Sequence, residues 1–402
     1  MKIKRLVLLL LIGFALLGCK EKPNDENNDN EEINEENNNK EEGEKEYAHE
    51  PISDLPPIKN HFEEKFMIGN IFNPSDVSSS GEINSALTLH YNVLTAENNM
   101  KPAQLSTGKG TYNFDAADRM VNAAIASGFK VVGHTLLWHS QIPSWQANMA
   151  SENKETALAA MKDYITGVAG HFKGKIYSWD VLNEAFPDGG ISATNDWKSV
   201  IRKENPWFKA LGADFVYEGF LAARLADPAA ILYYNDYNTD QVGRATMIHN
   251  MVRDVNQRYK EAYPGETRLL IEGIGMQEHH NTGVSASAIR KTLELFKPLG
   301  VKISVSELDV LIVSWSEFSP IGQGTGKQNS IKGDKRTNGL KKQADLYGQY
   351  FKVYLEFSDI IERVSFWGVT DDKSWRSAGL PLLFDPDKKA KDAYYKVIES
   401  LK

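Results

Sequence analysis

From residue 55 onward the chain repeats one pattern eight times: a short apolar run, then a longer amphipathic stretch. The apolar runs fall at 66–71, 91–96, 130–136, 176–182, 231–235, 269–274, 302–306 and 363–369. Runs of this kind are what strands buried on both faces require. The stretches at 115–127, 154–171, 214–226, 241–262, 285–296 and 340–357 carry apolar residues at helical spacing, and 394–401 closes the chain. Eight such units in roughly 350 residues predict an α/β fold, a (β/α)8 barrel forming a single domain. Functional residues of such a barrel gather at the C-terminal strand ends. A doubly wound open sheet is the alternative, but its Gly-rich first turn is missing after the first strand. Residues 320–338, rich in Gly, Ser, Thr, Asn and Lys, read as a long loop after the seventh strand, over the functional face.

Two strand ends carry a glutamate. One run is Ile176-Tyr177-Ser178-Trp179-Asp180-Val181-Leu182-Asn183-Glu184, and the other is Val301-Lys302-Ile303-Ser304-Val305-Ser306-Glu307-Leu308-Asp309. One Glu at a strand end is weak evidence; two on separate buried strands fit glycoside hydrolysis. That reaction needs one carboxylic acid to protonate the leaving oxygen and one carboxylate across the anomeric carbon.

The other strand ends are polar as well. The second ends Glu97-Asn98-Asn99-Met100-Lys101. Glu97 and Lys101 are either a helical ion pair or, with Asn98, a fan of groups suited to sugar hydroxyls. The third strand end holds His134, Trp138, His139, Gln141 and Trp145, a pocket wall rather than plain core. Metal binding is the rival use for His134 and His139, but no carboxylate or Cys sits at ligand spacing. The fifth ends Asn235-Asp236, expected to support the glutamates, and the sixth Gly273-Ile274-Gly275-Met276-Gln277-Glu278-His279-His280. Its Gly-x-Gly lacks the third glycine of a dinucleotide fingerprint. The eighth carries Trp367, with Ser374-Trp375-Arg376 beyond. Trp138, Trp367 and Trp375, on separate strand ends, offer faces for sugar rings.

Charge narrows the partner. The net charge is -8, but residues 20–50 alone contribute -9 and residues 1–19 contribute +3. Residues 51–402 are therefore nearly neutral, without the basic surface nucleic acid requires. The 20–50 stretch is too polar to bury a core and reads as a disordered tether. Before it, Met1-Lys2-Ile3-Lys4-Arg5 is basic and Leu6 to Leu17 is apolar, too short to span a bilayer but right for an export signal. Leu16-Leu17-Gly18-Cys19 resembles a bacterial lipoprotein cleavage site, and Cys19 is the only cysteine. The expected organisation is a signal peptide at 1–18, an acidic tether at 19–54 and a catalytic domain at 55–402. Cys19 would carry a lipid holding the protein to the bacterial cell envelope, at the outer membrane.

The motifs Trp179-Asp180-Val181-Leu182-Asn183-Glu184 and Ser306-Glu307-Leu308-Asp309, on an eight-unit barrel, resemble the family-ten glycoside hydrolases, mostly endo-β-1,4-xylanases. The likeness covers residues 60–400. It implies that Glu184 is the acid/base and Glu307 the nucleophile of a retaining double displacement on xylan and xylo-oligosaccharides, by a monomer, with no metal or organic cofactor. It further implies that Asn183 bonds the sugar 2-hydroxyl and that His279 and Asp309 hold Glu307 ionised. Glu97, Asn98, Lys101, His134, Trp138, Gln277, Trp367 and Trp375 would line the non-reducing side of the cleft, with His139 beside them. The chain departs from the family pattern at Glu278, at His280 and in the 320–338 loop, so a carboxylate beside His279 is expected to perturb the site. A retaining endo-β-glucanase and a non-catalytic surface glycan-binding protein are the rival readings, the second disfavoured by the presence of both glutamates.

Overall fold

The computed structural model describes residues 46–402. The expected signal peptide, Cys19 and most of the expected tether lie outside the described residues. The folded unit starts at Tyr47, not at 55. Ile52 and Leu55 are buried, Ile52 N–H donates to the Lys388 carbonyl at 2.8 Å, and the Tyr47 ring stacks on Tyr395.

Eight parallel strands close into a barrel: β1 Met67–Phe72, β2 Val93–Ala96, β3 Lys130–Leu137, β4 Ser178–Asn183, β5 Ile231–Asp236, β6 Gly273–Met276, β7 Lys302–Val310 and β8 Ile361–Phe366. β8 pairs with both β7 and β1, which completes the ring. Eight helices follow their strands: α1 Ser85–His90, α2 Asp115–Ala126, α3 Lys154–His171, α4 Asp214–Ala226, α5 Val242–Ala262, α6 Ala286–Phe296, α7 Gly333–Glu356 and α8 Asp392–Glu399. Side-chain caps open several of them: Asn153 accepts from Thr156 N–H at α3, and Ser285 from Ala288 N–H at α6. The barrel interior is partly polar. Arg363, 1% exposed, donates to Ser178 at 3.0 Å and lies over the Tyr233 ring.

Three boundaries lie furthest from the sequence expectation. β6 occupies Gly273–Met276, after the buried Leu270 and Ile271 that marked the apolar run. β7 continues past Ser306 to Val310, since its polar tip still pairs with its neighbours. α7 begins at Gly333, so the loop expected at 320–338 ends earlier. Apolar periodicity starts only at Leu340, while the first turns of α7 are polar. A short helix, Trp315–Phe318, precedes that loop.

Strand register sets the level of the site. Asn183 pairs with Asn235 across β4 and β5, and Asn235 pairs with Gly275 across β5 and β6. Both asparagines therefore stand at one height at the mouth of the barrel.

Candidate active site

Glu184 directly follows β4, with φ of +56°, in the left-handed region. A non-Gly residue there costs about 1–3 kcal/mol and marks a functional turn. The turn is clamped from behind. Tyr234 OH receives the Ala185 N–H at 3.1 Å and donates to Asp236, whose other oxygen pairs with Arg244 at 3.0 Å. Arg244 also reaches the Pro187 carbonyl at 2.6 Å. Asp236 touches neither glutamate; the expected support reaches Glu184 only through Tyr234 and the Ala185 peptide. Burial pushes the Asp236 carboxyl up to about 6, with Arg244 opposing.

In the cleft, Glu184 accepts from Trp138 Nε1 at 2.8 Å and from Gln277 Nε2 at 3.0 Å. Both donors are uncharged. His139 Nδ1 lies 4.0 Å from the same carboxylate, so His139 flanks Glu184 instead of lining the cleft. Burial and the charge of Arg202 lower the His139 pKa.

Glu307 sits on β7 in a different setting. It accepts from Asn235 Nδ2 at 2.8 Å and pairs with His279 Nε2 at 3.1 Å. The register of β7 against β8 shifts between Val305 and Leu308. Alternation along a strand is broken at such a shift, and the consecutive Ser306 and Glu307 both reach Asn235. His279 Nδ1 faces Asp309 at 3.1 Å, and Asp309 also pairs with Arg376 and accepts from Trp375 Nε1 at 3.2 Å. Burial opposes the charge on His279, yet Asp309 and Glu307 on its two nitrogens raise it to about 9. Burial alone would push the Glu307 carboxyl up, but His279, with His134 and Asn235 assisting, holds it below its ordinary value. Asp309 is likewise lowered against burial by Arg376 and His279.

The glutamates line one cleft of about 390 Å³ with Glu97, Asn98, Lys101, His134, Trp138, Asn183, Gln277, His279, Trp367 and Trp375. Asn235 and Asp309 lie behind, fully buried. Glu97 and Lys101 make no pair with each other. Glu97 accepts from Asn73 at 2.6 Å, and Lys101 donates to Asn98 at 2.9 Å and lies over Trp138. Burial lowers the Lys101 pKa against the pull of Glu307, Glu97 and Glu184. His134 is held by Asp180 at 2.9 Å. The tryptophans bound the cleft and also fix its charges: Trp367 and Trp375 meet the His279 ring edge-on.

Gln141, expected in the pocket wall, lines the cleft, whereas Arg376, Asn73 and Arg202 had no role in the sequence expectation. Arg376 adjoins Trp375 and Asn73 directly follows β1, so their positions carried the strand-end signal; Arg202 gave none. Glu278, expected to perturb the site as a carboxylate beside His279, turns away from the cleft and pairs with His280 at 2.6 Å. The arrangement supplies one carboxylate kept ionised by a cation and a second held by neutral donors across the same cleft. Two carboxyls with divergent surroundings are how acid and base roles separate.

The sequence profile of Glycosyl hydrolase family 10 matches residues 57–400. An endo-1,4-β-xylanase from Geobacillus stearothermophilus is 32% identical over 358 residues, covering 86% of this chain and 99% of that protein. Endo-1,4-β-xylanase A from Thermotoga maritima is 33% identical over 366 residues, 87% of this chain, which spans only 31% of that longer protein. The crystal structure of a family 10 xylanase from termite gut that contains a bacterial Ig-like domain superposes with a TM-score of 0.84. It is 58% identical, over 87% of this chain and 78% of that one.

Proposed function

The chain belongs to glycosyl hydrolase family 10, and on that footing we propose that it is an endo-1,4-β-xylanase acting with retention of anomeric configuration. The observation that carries this reading is the unequal setting of Glu184 and Glu307 in one cleft. A Glu307 oxygen attacks the anomeric carbon while the Glu184 carboxyl gives its proton to the glycosidic oxygen, which leaves with the bonding pair. A glycosyl ester on Glu307 results. Glu184, now a carboxylate, takes a proton from water, whose oxygen attacks the same carbon and frees Glu307. In this reading Asn183 bonds the sugar 2-hydroxyl. Glu97, Asn98, Lys101, His134, Trp138, Gln277, Trp367 and Trp375 bind the non-reducing part of the chain.

Reducing-sugar release tests the substrate: xylan should yield short oligomers early, and equal cutting of carboxymethyl-cellulose would assign a glucanase instead. Binding of xylan without cutting would make it a glycan-binding protein. Glu307→Ala should abolish turnover of every glycoside. Glu184→Ala should cost xylan about 10²–10⁴-fold but spare the first step on an aryl xylobioside with an acidic phenol. Equal losses on both substrates, or an α-anomer as first product by proton NMR, would overturn the assignment.

We further propose that the enzyme is a monomer exported and tethered to the outer membrane through a lipid on Cys19. The basic start, the apolar run and Leu16-Leu17-Gly18-Cys19 support this. Among the described residues no helix is long and apolar enough to cross a membrane.

A further inference from the structure

Beyond β6 the chain runs Gln277-Glu278-His279-His280, and its side chains divide between two environments. Gln277 and His279 face the cleft and touch Glu184 and Glu307. Glu278 and His280 face the opposite way, into the layer between barrel and helices, and are 1% and 2% exposed. There Glu278 Oε1 accepts from Thr239 Oγ1 at 2.9 Å. Its Oε2 receives His280 Nε2 at 2.6 Å and Tyr354 OH at 3.2 Å. Thr239 is tied onward to α6, its carbonyl accepting from Thr292 Oγ1 at 2.7 Å. The His280 ring packs on Tyr350 of α7. Glu278 has φ of +56°, a conformation L-residues rarely adopt unless the surroundings hold it.

Three of these residues also carry the backbone of the nucleophile strand. Glu307 N–H donates to the Gln277 carbonyl, Asp309 N–H to Glu278, and Leu311 N–H to His280. The mechanism uses neither Glu278 nor His280, and a buried ion pair is weak as a source of stability because desolvation opposes it. Burial disfavours charge on both groups, yet each holds the other charged, with Asp240 and Asp309 also acting on His280. The other groups facing the pair are the Tyr350 and Tyr354 hydroxyls of α7.

We propose that Glu278 and His280 are positioning residues: their buried pair locks segment 277–280 from behind so that Gln277 and His279 keep both glutamates in register. This rests on the roles assigned to Glu184 and Glu307 above. If the pair positions, loosening it lets His279 tilt from Glu307, and the nucleophile becomes harder to ionise. Misplacement by about 1 Å can cost on the order of 100-fold in rate.

The test compares Glu278→Ala, Glu278→Gln and Thr239→Ala with the wild type on an aryl xylobioside, well below each thermal midpoint. Glu278→Ala should lower kcat about 10- to 100-fold with little change in KM, and move the acid limb of kcat/KM to higher pH. Glu278→Gln, whose amide can still meet His280 and Thr239, should recover most of the loss. A lowered thermal midpoint with kcat and the acid limb both unchanged would show a merely structural pair and overturn the proposal. Should Glu278→Ala fail to fold, Thr239→Ala removes one donor from Glu278 and should move the acid limb by a smaller step; no movement refutes the claim. If the wild type turns over no glycoside, the functional reading falls by itself. Positioning is then read from the ¹³C titration of the Glu307 carboxyl, which shifts upward in Glu278→Ala if the inference holds and stays fixed if it does not.

Discussion

Gly275→Ala is the sharpest probe of how the barrel holds Glu307. A Cβ on Gly275 would lie 2.2 Å from Asn235 Oδ1 and 3.0 Å from its Cγ. Asn235 must retreat by about 1 Å before that contact becomes ordinary. It has nowhere free to go: it accepts from Ser306 at 2.6 Å and donates to Asn183 at 3.0 Å and to Glu307 at 2.8 Å. The bond to Glu307 is charge-assisted, worth about 1.5–3 kcal/mol. Its loss should reduce kcat/KM roughly 10- to 150-fold, at 1.4 kcal/mol per decade. One donor fewer on a buried carboxylate should also move the acid limb of kcat/KM to higher pH, since hydrogen bonds to the charged form are part of what holds Glu307 low.

Overpacking also destabilises, by about 1–3 kcal/mol, so a control must separate strain from chemistry. Gly273→Ala supplies it: its Cβ would meet the Tyr233 ring at 2.2 Å, and Tyr233 donates to Glu362, away from both glutamates. Both variants should lose thermal stability, but only Gly275→Ala should lose catalysis. In an Asn235→Ala background, Gly275→Ala should add little, because the colliding amide is gone. Wild-type kcat/KM in Gly275→Ala, or an equal loss in Gly273→Ala, would refute the reasoning.

Two further outcomes are expected. The folded His279 pKa of about 9 lies above the ordinary value of roughly 6.5, so its ion pairs contribute fully below pH ~6.5 and fade as pH rises through about 9. The thermal midpoint should therefore fall between those values, and His279→Gln should flatten that part of the curve; an unchanged slope would contradict the ion pairs. Cys19→Ala should move the protein from the membrane fraction to the soluble one with activity intact, and unchanged partitioning would remove the anchor.

The fold was legible because each strand of the barrel is buried on both faces and so writes an apolar run into the sequence. Legibility failed where burial and strand parted. Leu270 and Ile271 are buried but precede β6, whose own residues Gly273 and Gly275 have poor strand propensity and are present to admit Tyr233 and Asn235. The glutamates were legible because each ends an apolar run, and their neighbours were legible through the same strand-end rule. Arg202 was not, because it reaches the site from a loop whose path no local pattern encodes; Asn73 directly follows β1 and Arg376 adjoins Trp375, so the strand-end rule reached both positions without naming their contacts. Asp236 was placed at the right strand end, but its support reaches Glu184 through Tyr234 and the Ala185 peptide: a strand-end position fixes height in the barrel, not the direction of the side chain.

The buried charges of the site form a series of alternating sign: Arg376, Asp309, His279 and Glu307. Removing four charges from water is unfavourable unless each finds a partner, and the series gives every member one. Stability alone would not select it, since apolar side chains would fill the space at less desolvation cost. What the series does is transmit a fixed positive group to one carboxylate and leave the other, Glu184, to the uncharged Trp138 and Gln277. Gln277 and His279 come from one segment two residues apart, so a single turn after β6 sets both environments. The division of labour between two chemically identical side chains thus originates in the backbone of residues 277–280, and Glu278 and His280, on its far side, are the groups best placed to hold that backbone still.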